Sequence, residues 1–441
     1  MKHYDSGRVT ESSGTGELIH QFIRELYPIC RSITGDGLRQ TLGIIKTKIP
    51  IQTHEIPTGT TVFDWTIPKE WNIRDAYIKN SNGKKVLDFK QCNLHVVGYS
   101  VPVRQKMTLG RLREHLYTLP EHPDWIPFRH SYYKEDWGFC LAHRKLLQLK
   151  DDEYEVCINS SLESGSLTLG EYYIEGESDD EVLIYAHTCH PSLCNDNLSG
   201  VGLAVFLADW LRSCRRRYSY RFLFAPTTIG SIAWLALHEA EVRRIKHGLI
   251  LACLGDPGGF TYKKTRRGDA EIDAVVTYTL STLGKPYQTI DFSPFGYDER
   301  QFCSPGFDLP VGCLMRTPNG KYAEYHTSAD DLEFIRPEYL ADSFRSTVEI
   351  LKTVESNQRF VNQCPKCEPQ LGKRGLFRPA GREHQPPLDQ FALLWVLNLS
   401  DGHHSLLDIA VRSGLPFTAI KQAADLLQEH ELLEPLLTGK Q

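Results

Sequence analysis

The densest run of side chains able to do chemistry is Tyr185-Ala186-His187-Thr188-Cys189-His190-Pro191-Ser192-Leu193-Cys194-Asn195-Asp196-Asn197-Leu198-Ser199-Gly200. An apolar strand ends in an imidazole, a loop follows, and a carboxylate precedes a small-residue entry into a helix. In α/β sheets ligands gather at the carboxyl ends of strands, so His187 and Asp196 fall at the expected crevice. Neutral imidazole and carboxylate are ordinary ligands for zinc, and a carboxylate can bridge two ions through its two oxygens. Two later pieces suit the same chemistry. The apolar run Gly248 to Leu254 leads to Asp256 ahead of Pro257-Gly258-Gly259, and Glu324-Tyr325-His326-Thr327-Ser328-Ala329-Asp330 places His326 before a turn and helix. Singly, a strand-end histidine is more often structural, and Asp before Pro-Gly is more often a turn former. The succession His, Asp, Asp, His along one domain makes the four a candidate metal site.

Such a site needs strands that end together. Strand patterns cover Tyr154–Asn159, Leu167–Ile174, Glu181–Ala186, Tyr220–Ala225, Gly248–Leu254, Thr289–Phe292 and Val311–Met315, with amphipathic helices at Gly200–Arg212, Ile229–Val242, Ala270–Leu283 and Pro337–Val354. This alternation predicts a three-layer αβα domain around a mixed sheet. Two helices, Glu17–Tyr27 and Leu38–Ile49, precede it. Between those helices and the main strands lie short β-rich runs from Ile51 to Val103 and a helix expected over Met107–Leu119, which read as a small inserted domain. The Pro-, Gly-, Lys- and Arg-rich stretch after Ser356 reads as a linker, and the helices Leu388–Leu397, Leu406–Ser413 and Pro416–His430 resemble a winged helix-turn-helix. The division is therefore residues 1–60 and 150–358 for the main domain, 61–149 for the insertion, 359–387 for the linker and 388–441 for the winged-helix-like module.

Composition narrows the function. The 441 residues are 41% hydrophobic and 24% charged, with a formal charge of −5, ordinary for a globular protein and without a global pull toward nucleic acid or anionic membrane. Met1 to Gly16 is polar and no apolar run approaches the ~20 residues of a membrane helix, so a cytoplasmic protein is expected. The twelve cysteines are dispersed, not set out as a stapled scaffold. Cys364-Pro365-Lys366-Cys367 lacks a second half to complete a zinc knuckle. From Leu388 onward three basic residues face seven acidic ones, which argues against DNA binding and toward a protein contact. The Arg212, Arg215, Arg216, Arg217, Arg221 run reads as a solvated turn. No Walker loop, dinucleotide fingerprint, HExxH or GxSxG elbow is present.

Together the His187 strand end, the Asn195-Asp196-Asn197-Leu198-Ser199-Gly200 helix entry, Asp256 and Tyr325-His326-Thr327-Ser328-Ala329-Asp330 resemble the co-catalytic zinc aminopeptidase superfamily. Over nearly its full length the chain is similar to bacterial aminopeptidase-like proteins of the kind found near polysaccharide biosynthesis, with an inserted β-rich domain and a C-terminal winged helix; Val62 to Tyr77 and Gly296-Tyr297-Asp298-Glu299-Arg300-Gln301 belong to that look. The resemblance implies one or two zinc ions, with His187 and Asp256 on one, His326 on the other and Asp196 bridging. One departure matters. The aminopeptidases carry a Glu-Glu pair after the next strand, as general base and ligand, where this chain has Thr227-Thr228, and a threonine does not take a proton from metal-bound water near neutral pH.

Glu324 and Glu299 are the nearest substitutes for the missing base, each with a salt-bridged loop carboxylate as the plain alternative. His190 reads as a group behind the ligands or as a replacement ligand, the former being favoured. Cys189 and Cys194 read as inert buried thiols. Asp330 caps the following helix or orients a ligand histidine. Arg129, Tyr132 and Tyr133 could hold a carboxylate or a sugar, although aromatic loops commonly pack between domains. The reading is a zinc hydrolase acting on an amide or peptide bond of a small molecule or peptide. The alternative is a non-hydrolytic metal-containing relative that binds a ligand or regulates. Monomer and homo-oligomer stay equally open.

Overall fold

The computed structural model describes residues 14–376 and 388–436. The polar N-terminal stretch before residue 14, the 377–387 part of the expected linker and residues 437–441 lie outside the described residues. The chain divides into two compact units, Met1–Val348 and Glu349–Gln441.

The first unit is built on eight strands: β1 Gln52–Pro57, β2 Ser166–Ile174, β3 Glu181–His187, β4 Ser219–Ala225, β5 Ile245–Leu251, β6 Phe260–Lys263, β7 Tyr287–Ile290 and β8 Val311–Met315. Their order across the sheet is β1-β2-β4-β3-β5-β8-β6-β7. The centre, β4-β3-β5-β8, is parallel, whereas β1-β2, β2-β4 and β6-β8 are antiparallel. All seven residues of β3 are buried, as expected of a parallel strand covered on both faces. One cover consists of α1 Thr15–Leu26 packed on α3 Gly200–Arg212, which itself meets β3 and β5. On the other face Ile229, Ala233 and Trp234 of α4 Ile229–Leu237 join Leu183, Tyr185, Leu223 and Val311 in one core. Helices α2 Asp36–Lys46, α5 Glu271–Thr282 and α6 Pro337–Ser356 complete the set. The result is the mixed-sheet αβα fold that the alternation of elements predicts.

The insertion differs from its sequence reading in two respects. Glu153–Glu163, expected in the main sheet, instead pairs with Glu70–Lys79 and Val103–Thr108 in a separate four-stranded antiparallel sheet edged by Lys85–Asp88. The expected helix over Met107–Leu119 is broken into one helical turn at Leu109–Leu112 and a 3-10 turn at Arg113–His115, flanked by strand ends at Met107–Thr108 and Leu116–Tyr117. Met107, Leu109, Leu112 and Leu116 are buried together in the insertion core, so their helix-like spacing reports burial, and pairing with Glu153 and Tyr154 holds only Met107–Thr108 as strand.

In the second unit, α7 Leu388–Leu399, α8 Leu406–Ser413 and α9 Phe417–Glu429 accompany a sheet ordered Asp401–Ser405, Arg359–Asn362, Leu433–Pro435. Arg359–Asn362, read from composition as linker, is its central strand. Helix α8 opens on a capping box in which Ser405 and Asp408 satisfy each other's backbone N–H, and Gly414 at φ 72° closes it. Among the described residues no helix is long and apolar enough to cross a membrane.

Candidate metal centre

Strand β3 delivers His187 to the carboxyl edge of the sheet, where the side chain is fully enclosed. The chain then runs through a buried loop and a π-type turn, Cys194–Ser199, into α3. Gly200 is required at that entry, since a Cβ there would sit 2.2 Å from the Leu251 carbonyl oxygen. Asp330 holds the turn from outside: its carboxylate accepts the backbone N–H groups of Asn195 (2.5 Å) and Asp196 (3.0 Å), and its carbonyl accepts that of Cys194 (2.9 Å). Burial raises the Asp330 pKa to about 8 against the pull of those N–H groups.

The centre of the cluster is the Asp196 carboxylate. His187 Nε2 lies 3.0 Å from its Oδ1 and the Tyr297 hydroxyl donates to the same oxygen at 3.1 Å. Its Oδ2 has His326 Nε2 at 3.0 Å and His190 Nε2 at 3.7 Å. Burial opposes ionisation of Asp196, but the three imidazoles hold its pKa well below the usual carboxylate range. Burial lowers His190, keeping it in the neutral form that coordinates metals, whereas for His187 the Asp196 carboxylate outweighs burial and lifts the pKa to about 10.

His190 Nε2, Asp196 Oδ2 and His326 Nε2 lie within 4.8 Å of one another. Donors on a tetrahedral zinc with bonds near 2.0–2.1 Å stand about 3.3 Å apart, so separations of 3.0 and 3.7 Å suit such an ion. A second group, His187, Cys189 and His190, meets the same limit on the opposite ring edges, with Cys189 Sγ 3.2 Å from His190 Nδ1 and 4.0 Å from His187 Nδ1. A neutral imidazole offers one lone pair, so the two groups compete for His190. With the Nε2 atoms turned to Asp196, Cys189 serves as the partner behind two rings.

Not every expected residue joins. Asp256, expected as a ligand, accepts Gly258 N–H and Thr317 Oγ1–H on one oxygen and Asn195 Nδ2–H and Thr317 N–H on the other, at 2.5–3.2 Å. Both oxygens are engaged by the turn it braces. Strand β5 ends at Leu251, three residues before the expected end at Leu254, and Cys253 lies between that end and Asp256. Its Sγ lies 2.9 Å from the Tyr297 hydroxyl and 3.4 Å from that of Tyr322. Glu299 is buried against Lys263 Nζ at 2.7 Å, away from the imidazoles. Glu324 is half-buried two residues before His326, with no hydrogen bond or ion pair to its carboxylate among the described residues. Arg129 is exposed and lies over the Tyr117 ring, 4.3 Å from its centre.

Sequence reasoning missed the wall that the insertion contributes. Ile126–Phe128 lies antiparallel to the His326 loop, with Phe128 N–H donating to His326 O at 2.7 Å and Ser328 N–H to Ile126 O at 2.8 Å. Phe128 thereby meets both His190 and His326, at ring separations of 5.0 and 5.2 Å. Tyr297, also unassigned from sequence, lay inside the Gly296–Gln301 segment that carried part of the resemblance; nothing local marks Phe128.

The fold and this cluster define an aminopeptidase-like α/β protein carrying a winged helix. The chain belongs to the family described as "Domain of unknown function (DUF4910)", whose model matches residues 20–357, and residues 358–435 match a winged helix-turn-helix model. It is 55% identical over 426 residues to a Clostridium acetobutylicum protein provisionally named a polysaccharide biosynthesis protein with aminopeptidase-like domain, covering 97% of this chain and 98% of that one. A crystal structure from C. acetobutylicum, provisionally described as a peptidase, superposes with a TM-score of 0.91 at 54% identity over 97% of this chain and 98% of that one. The Bacillus subtilis zinc aminopeptidase BSAP shares the fold at a TM-score of 0.56 and 12% identity, over 77% of this chain and 94% of that one.

Proposed function

We propose that the protein is a zinc-dependent hydrolase of aminopeptidase type, acting on an amide or peptide bond, with one ion held by His190, Asp196 and His326. The observation that carries this reading is the convergence of those three donor atoms at the carboxyl edge of the sheet. One ion is favoured over two because Asp196 Oδ1 is engaged by His187 and Tyr297 while Asp256 is bound elsewhere. Zinc in such a site, when bound, polarises a carbonyl and makes water acidic enough to attack near neutral pH. His187 and Tyr297 fix the Asp196 carboxylate so that Oδ2 faces His190 and His326. We assign Glu324 to take the proton from the attacking water and return it to the leaving amine, since it is a half-buried carboxylate two positions before His326 in sequence whose carboxylate has no partner among the described residues. The C. acetobutylicum relative's name and the zinc aminopeptidase fold support the class of reaction.

Elemental mass spectrometry on wild type and on His190→Ala, Asp196→Ala and His326→Ala tests the site. The expected result is near one zinc per wild-type chain and little in each variant. Zinc-free wild type after reconstitution, or zinc retained by all three variants, overturns it. A second reading, ligand binding without turnover, is favoured by Thr227-Thr228, which offers hydroxyls and no carboxylate. Chelator-sensitive release of amine from amino-acid amides decides between the two.

A further inference from the structure

We propose that the cleft lined by Tyr99, Tyr132 and Tyr133, joined to the metal cluster through a relay of rings, is a glycosyl subsite, so that the amide addressed by the site is carried on an amino sugar; as a statement about substrate, this rests on the hydrolase reading above. A continuous line of rings leads from the cluster into the insertion. His326 meets Phe128 at 5.2 Å, Phe128 meets His130 at 5.7 Å, and His130 stacks on Tyr132 at 3.7 Å with planes 10° apart. Tyr132 abuts Tyr99 at 5.5 Å, and Tyr133 packs on Trp65 at 5.3 Å. Tyr99, Tyr132 and Tyr133 then line a cleft of about 240 Å³ with Lys69, Lys134 and Glu135 on its rim. That volume is below the roughly 300–1,000 Å³ of sites for drug-sized ligands, so it suits one ring and not an extended chain.

The chemistry of the lining chooses among rings. An apolar amino-acid side chain is best held by a closed, uniformly apolar pocket, whereas a pyranose presents a C–H face that lies on an aromatic ring and an edge of hydroxyls that needs polar partners. Here Tyr133 is 56% exposed, a ring face left open to solvent, and it is flanked by long polar side chains. Lys134 is paired with Asp136 at 3.0 Å and Lys69 stands 3.9 Å from Glu135, so the rim is close to charge-balanced and suits a neutral N-acetylhexosamine.

Saturation-transfer NMR on the full chain, with N-acetylglucosamine and N-acetylgalactosamine as probes and N-acetylleucinamide as the amide control, tests this. The expected result is saturation of sugar ring protons above the control, persisting after chelation. Tyr133→Ala weakens it about five- to tenfold, the range one aromatic contact supplies, and Tyr133→Phe, which keeps the ring, retains it. No saturation of either sugar by wild type, or equal saturation with Tyr133→Ala, overturns the proposal. Sugar binding by a chain that proves zinc-free would leave the subsite standing and the hydrolase reading fallen. Amide turnover without sugar binding would do the reverse.

Discussion

Asp256 and Cys189 have contacts that residue type alone does not reveal. Asp256 has the chemistry of a ligand, but four hydrogen bonds fill its carboxylate. Asp256→Ala is therefore expected to leave zinc content near wild type and to cost about 1–3 kcal/mol of stability through orphaned buried donors, read by denaturant unfolding beside elemental analysis. A parallel fall in zinc would restore the ligand role that the resemblance implies. Cys189, which looks inert, lies 3.2 Å from His190 Nδ1. Its replacement by Ala removes the group that fixes the ring's orientation, and zinc affinity is expected to weaken about 10- to 100-fold while stoichiometry at saturation stays unchanged. Competition against a chromogenic chelator measures it.

At the scale of elements, the site depends on strands ending in register and on a loop brought from elsewhere. His247 on β5 is fully buried, with Nε2 3.2 Å from the Tyr218 hydroxyl, and burial pushes its pKa down to about 3. In the unfolded chain an imidazole titrates near 6.5, so the unfolded state binds the proton that the native sheet excludes. This contribution to stability is complete above about pH 6.5 and is lost as pH falls toward 3. Denaturation midpoints measured between pH 7 and 4 should fall less steeply in His247→Gln than in wild type; identical slopes would refute the assignment. A second element-scale anchor is Arg39 on α2, whose guanidinium meets Glu70 of the insertion at 2.8 and 2.5 Å, while Glu70 also accepts Ser166 N–H. This pair ties insertion to sheet, while the Ile126–Phe128 segment carries the insertion to the His326 loop and Asn93 reaches Ser192 in the loop after His190.

For the whole molecule, the winged helix-turn-helix match poses the question of nucleic acid. The second unit has the three helices and the small sheet of such a module, but the matched residues 358–435 carry nine acidic against eight basic residues, and from Leu388 onward acidic residues outnumber basic ones seven to three, so there is no net basic charge. Duplex DNA needs cations along its phosphates. The full chain is therefore expected to give no salt-dependent shift of duplex DNA in a mobility assay near physiological ionic strength, and a salt-dependent shift would reassign the module.

The sequence by itself determined the αβα class and the helix α8 with its Gly414 stop, and it singled out His187, Asp196 and His326 as candidates. It could do so because hydrophobic alternation, capping and strand-end placement are local properties, written within a few residues of where they act. Tertiary structure decided that Glu153–Glu163 belongs to the insertion sheet, that Arg359–Asn362 is a central strand and that Asp256 braces a turn. It also turned His190 toward Asp196 and seated Phe128, 198 positions before His326, against that ring. These outcomes depend on which distant backbone supplies the hydrogen bonds and on where a strand stops, neither of which is written locally in the sequence.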